Sequence, residues 1–215
     1  MSSKISISAQ ASTSNVPKLE AGVYVARCYS MIHIGTAEEN ILGKTKRLNK
    51  VRLYWELPSE MIIYNEEKGE QPRAMSKEFT LSLHEKSNLR KFLEAWRGKS
   101  FNQKELDDFE LTNLIGATCM ITVIHKEGKD GNTYVEISSV SKIMKGVKCD
   151  DQINDSVIFG YDPFEQDVFD TFPDWIKEKI QRTDEYKAAV SGENAVETTA
   201  PADHEPEVEV DDLPF

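Results

Sequence analysis

Apolar and polar residues alternate with period two through the first third of the chain. Val51, Leu53, Trp55 and Leu57 share one face, and Arg52, Tyr54 and Glu56 share the other, the pattern of a half-buried strand. Before it, Ala21 to Ile34 is rich in β-branched and aromatic residues and predicts a long strand. A third strand is expected from about Ser76 to Leu83, with Phe79 and Leu81 on one face. Residues 59–74 between them read as a polar connection with an apolar knot, Met61-Ile62-Ile63-Tyr64.

The period then changes. Leu89, Phe92, Leu93 and Trp96 recur at helical spacing from Glu85 to Arg97, and Gly98 closes the helix as a C-cap. A second short helix through Leu111–Ile115 ends at Gly116. Thr118–His125 and Thr133–Ser141 return to strand composition, joined by Lys126–Asn132 with its Asp130-Gly131 hairpin step. In residues 150–182, Phe164, Phe169, Phe172, Trp175, Ile176 and Ile180 are expected to pack a short helix back on the body.

Three strands, a helix and a two-stranded hairpin is the element order of the OB-fold. That fold is a five-stranded Greek-key barrel with its helix between strands three and four. An unrelated small β-barrel or an α+β sheet is the alternative. The expected organisation is a flexible segment at 1–17, an OB-fold domain at 18–149, a peripheral segment at 150–182 and a disordered acidic tail at 183–215. Few apolar residues and an Ala/Glu/Pro/Thr composition mark the tail.

Charge alters the functional picture. The formal net charge of -11 argues against a nucleic-acid ligand until it is divided along the chain. Residues 183–215 hold ten acidic side chains against Lys187 alone, whereas residues 1–150 carry 22 bases and 19 acids. A mildly basic body thus precedes an acidic extension, a pattern of interaction tails. In an OB-fold the ligand lies across strands two and three, between the loops joining strands one to two and four to five. Here those loops are Gly43–Lys50, with Lys44, Lys46, Arg47 and Lys50, and Lys126–Asn132, with Lys126 and Lys129.

Single-strand binding needs cations along a backbone path and aromatic faces for bases, each stacked base contributing roughly 1–3 kcal/mol. Arg52 and Tyr54 meet both needs on strand two. Lys77 lies on strand three and Tyr134 beside the second loop. An ordinary solvated loop accounts equally well for Lys44–Lys50, and a cross-strand packing role for Tyr134. Tyr24 and Tyr29 are ambiguous as to face; Phe79, Phe92, Trp55 and Trp96 are assigned to the core.

Nothing proposes catalysis. His33, His84, His125 and His204 fall in no nucleophile or HExxH motif, and Gly43-Lys44-Thr45 matches only the end of a phosphate-binding loop. Cys28, Cys119 and Cys149 lack zinc-ligand or disulfide spacing, and the first two read as buried thiols. No cofactor or metal is expected. No apolar run nears the roughly 20 residues of a membrane span, and the polar N-terminus does not read as a secretory signal. The expected setting is the cytoplasm.

The end of the chain, Asp211-Asp212-Leu213-Pro214-Phe215, resembles the acidic docking peptide of bacterial single-stranded DNA-binding proteins. GVYVARCYSMIHIG, KVRLYWELP, LSLHEKSNLRKFLEAWRGKSF and DGNTYVEISSVSKI together resemble the small single-stranded DNA-binding proteins of bacteriophages. The resemblance implies a non-catalytic protein of the host cytoplasm that coats single-stranded DNA with little sequence preference. It also implies that Asp211 to Phe215 recruit replication, recombination or repair proteins, Phe215 filling an apolar pocket. It departs from the cellular proteins in an acidic rather than Gly/Pro/Gln-rich linker and in a larger helical segment, so oligomeric state is not carried over. An acidic-tailed adaptor or inhibitor whose body binds no DNA is the first rival, and a phage nuclease component the second.

Overall fold

The computed structural model describes residues 17–41, 43–67 and 69–191. Asp211 to Phe215 lie outside the described residues. The fold is mainly β. Strands β1 (Gly22–Ile41), β2 (Lys44–Asn65), β3 (Gly69–Thr80), β4 (Thr118–Glu127) and β5 (Thr133–Ser141) form an antiparallel sheet in the order β3-β2-β1-β4-β5. The sheet curls into an open half-barrel whose free edges, β3 and β5, come side by side. Lys77 Nζ donates to the carbonyl of Ile137 across that seam (2.7 Å).

One core fills the concave face. Val51, Leu53, Trp55 and Leu57 are buried there as the alternation predicts, with Ala26, Cys28, Phe79, Ile121 and Val123. Helix α1 (Asn88–Arg97) closes it with Leu89, Phe92, Leu93 and Trp96. The Trp55 and Trp96 rings lie 5.7 Å apart, and Trp96 Nε1 donates to the Thr118 carbonyl (2.9 Å). Ser87 Oγ accepts from the Arg90 N–H, and Gly98 ends the helix at φ 71°. Helix α2 (Gln103–Asp107) and a 3₁₀ turn at Leu111–Leu114 lead on to β4.

Two expected loops are strands. The Lys44–Lys50 run is the returning half of an arm in which Glu38 faces Arg47 and Glu39 faces Lys46. Opposite charges set directly across a ladder stabilise it without burial, which composition alone reads as a loop. Residues 59–65 and 69–74 likewise extend β2 and β3, with a bulge between Leu57 and Met61. Pro72 is tolerated because β3 is an edge strand.

Residues 150–191 are more than peripheral. Strand β6 (Val157–Phe159) pairs parallel with β1 at Ser30–Ile32. Helices α3 (Gln166–Asp170), α4 (Asp174–Gln181) and α5 (Asp184–Ser191) follow. The bulge in β1 between Cys28 and Ser30 explains how one strand serves two cores. Cys28 and Met31 face the first, while Ile32 and Ile34 join a second with Phe159, Phe169, Phe172, Ile176 and Ile180. Of the residues expected to pack this segment, Trp175 stays out of that core.

Two contacts anchor the segment. Glu56, fully buried, accepts from the N–H groups of Ile153 (2.9 Å) and Asn154 (2.8 Å) and from Asn154 Nδ2 (2.7 Å). Gly35 receives the α4–α5 junction: at φ +101°, a Cβ there would stand 2.8 Å from Thr183 Oγ1 and Glu185 Oε2. Glu185 accepts from Thr36 N–H and Oγ1 (2.6 and 2.7 Å). Helix α5 therefore lies within the stretch that composition assigns to the acidic tail, as far as Ser191. Among the described residues, no helix is long and apolar enough to cross a membrane.

Candidate nucleic-acid interface

The strand register places Arg52, Tyr54 and Glu56 on the convex face of β2, opposite the first core. Arg52 pairs across to Glu78 and Tyr54 to Ser76 on β3. Arg52 donates to Ser76 Oγ (2.8 Å) and to Glu78 Oε2 (3.3 Å). Its guanidinium lies 5.7 Å from the Tyr54 ring centroid and 4.7 Å from that of Trp175 on α4. Tyr54 is half-buried, edge-on to Tyr29 at 6.4 Å.

Between the two free edges lies a cleft of about 370 Å³, lined by Arg52, Lys77 and Glu78 from one side and Tyr134, Glu136 and Ile137 from the other. Three of the ten residues proposed from sequence as nucleic-acid contacts, Arg52, Lys77 and Tyr134, thus converge from β2, β3 and β5. Tyr134 is exposed, and its hydroxyl donates to Asp130 Oδ2 in the β4–β5 turn. That bond, with those from Asn132, holds the Asp130 carboxyl down at about 2. Lys126 pairs loosely with Glu136 (3.9 Å) on the same hairpin, and Lys129 sits in its turn.

The remaining cations belong to the arm rather than the cleft. Arg47 pairs with Asp184 of α5. Lys50 pairs with Glu39 (2.5 Å) and Glu78 (3.3 Å). Lys44 and Lys46 occupy the arm's outer end. Much of the positive charge legible in the sequence is therefore matched by carboxylates that the sequence does not place beside it.

Glu78 is the hub of that matching, touched by Lys50, Arg52 and Lys179 (2.8 Å). Burial pushes its carboxyl up, and hydrogen bonding and charge from Lys179 and Lys50 more than offset this, so it sits below the usual glutamate value. A carboxyl depressed by folding stabilises the fold above its unfolded pKa and loses that contribution as pH falls through the folded one. The Glu78 cluster is accordingly expected to persist through the normal glutamate range and open below it, with α4 loosening in step. Following the Glu78 carboxyl by NMR from pH 6 downward checks this; titration at or above the unperturbed value contradicts it.

Sequence reading missed Trp175 and Lys179. The signal was present: Ile176 and Ile180 mark the buried side of α4, and Trp175 falls off it. Cys28 and Cys119 are buried as expected, and burial pushes the Cys28 thiol up to about 12. Among the described residues, no cluster of His, Cys, Asp and Glu is arranged to hold a metal ion. Neither protein-family models nor curated proteins match the chain.

Proposed function

We propose that the protein binds single-stranded DNA without catalysis, coating it with little sequence preference during replication, recombination or repair. The observation that carries this reading is the meeting of Arg52, Lys77 and Tyr134 in the seam cleft. A guanidinium, an ammonium and an exposed phenol together suit phosphate neutralisation and base stacking. The strand order and the helix that closes the concave core support reading the half-barrel as an OB-fold open between β3 and β5. In that reading the β1–β2 arm, with Lys44, Lys46, Arg47 and Lys50, and the Lys126–Asn132 turn flank the path of the strand. Asp211 to Phe215 serve as a separate docking peptide for partner proteins.

One observation favours the adaptor as second reading: Asp184, Glu39 and Glu78 already occupy Arg47, Lys50 and Arg52. Anisotropy of a labelled oligo-dT, titrated with the full chain beside a duplex of equal length, separates the two. Saturable binding that prefers the single strand and weakens by about tenfold when Lys77 and Tyr134 are both replaced by alanine is expected. Absence of salt-dependent binding by the unaltered protein leaves the adaptor.

A further inference from the structure

Helix α4 and its C-cap Arg182 carry an aromatic and two cations on one stripe. Trp175, Lys179 and Arg182 are spaced i, i+4, i+7, and so lie on one side of the helix. Ile176 and Ile180 anchor the adjoining side in the second core. The stripe borders the convex face of β2 and β3: Trp175 lies over Arg52, and Lys179 reaches Glu78. A tryptophan 46% exposed beside a cationic cluster is unusual for a ring with a core available three residues away in Phe172. Arg182 is 75% exposed, and its pair with Glu178 at 3.7 Å is a surface contact of little weight.

We propose that α4 forms one wall of the nucleic-acid surface, with Trp175 as a base-stacking platform and Arg182, at the C-terminal end of the helix, as a phosphate contact. The single strand then runs from the seam cleft over the exposed side of α4, and Arg52 joins the two by lining the cleft and packing under Trp175. Residues 150–191 complete the binding surface instead of capping it. This rests on the single-stranded DNA reading above.

Tryptophan fluorescence tests the proposal, because Trp55 (0% exposed) and Trp96 (5%) are buried and Trp175 is the exposed reporter. Adding unlabelled oligo-dT to the full chain is expected to quench the emission, and Trp175→Phe to abolish the quenching while keeping affinity within a few-fold. Trp175→Ala is expected to weaken binding about tenfold, the loss of one stacked base, and Arg182→Gln to flatten the salt dependence by about 0.7. Circular dichroism and a thermal melt show whether each variant is folded. Oligo-dT bound at unchanged affinity by Trp175→Ala, with no quenching in the parent, overturns the role of α4 and leaves the cleft intact. Tighter binding by Trp175→Ala overturns it too, making α4 a cover over the site. No binding by the parent protein removes the reading on which the proposal stands.

Discussion

Replacing Glu56 with alanine is expected to detach residues 150–191 from the half-barrel at a cost of about 3 kcal/mol. The carboxylate is fully buried and satisfies three donors, the N–H groups of Ile153 and Asn154 and the Asn154 side-chain amide. A buried donor left without its acceptor costs roughly 1–3 kcal/mol, and here three lose it together. Relief from no longer burying a charge offsets part of this, which keeps the total well below the sum. Against a typical folding stability of about 5–15 kcal/mol, the loss is large. It should also be local. The first core, with Trp55, Phe92 and Trp96, takes nothing from residues 150–191, while the second core depends on them. Hydrogen exchange is therefore expected to accelerate through β6, α4 and α5 and to remain slow in β1, β2 and β4. Glu56→Gln, which keeps one acceptor but turns an NH₂ toward backbone donors, should fall between parent and alanine. Uniform loss of protection across both cores would show that the two halves fold as one unit and that Glu56 is not a local clamp.

The same residue shows why part of the fold was legible and part was not. Alternation over Val51 to Leu57 assigned β2 and its buried face directly, because a two-residue period admits one solution. It equally placed Glu56 on the far face, where a charged residue reads as solvated. Only the later segment, returning from Cys149 to Asn154, turns that position into an interior one. The C-cap of α1, Gly98, was readable because it acts within a turn of the helix it closes. The long arms were not, because Glu38 against Arg47 and Glu39 against Lys46 are complementary only once β1 folds back on β2. Lys44–Lys50 consequently looked like a cationic loop beside the groove. Arg52, Lys77 and Tyr134 did reach a common cleft, since strand alternation and hairpin position carry more geometry than local charge does.

The carboxylates that hold those cations set how salt should act on binding, the second large effect. For single strands, log affinity falls with log salt by about 0.7 for each phosphate neutralised. The eight cations read from the sequence would give a slope near -5 or -6 if every one met a phosphate. Four of them, Arg47, Lys50, Arg52 and Lys126, are held by Asp184, Glu39, Glu78 and Glu136. A cation that keeps its carboxylate releases no counterion when DNA arrives. A slope clearly shallower than that is therefore expected when oligo-dT is titrated between 50 and 200 mM salt. Glu78→Gln sharpens the test, because it removes the carboxylate shared by Lys50, Arg52 and Lys179. Lys50 keeps Glu39, but Arg52 and Lys179 then become available to phosphate, so the variant should bind oligo-dT several-fold more tightly at 50 mM salt and lose affinity more steeply, by about one further unit of slope. Its fold should be less stable, since the cations of β2 and α4 are left facing one another without the β3 carboxylate between them. Tighter, more salt-sensitive binding by a less stable protein is an outcome that general weakening of the structure does not produce. A Glu78→Gln protein with parental affinity and slope would place the DNA path away from the β2–β3 face and return the cations there to a purely structural role.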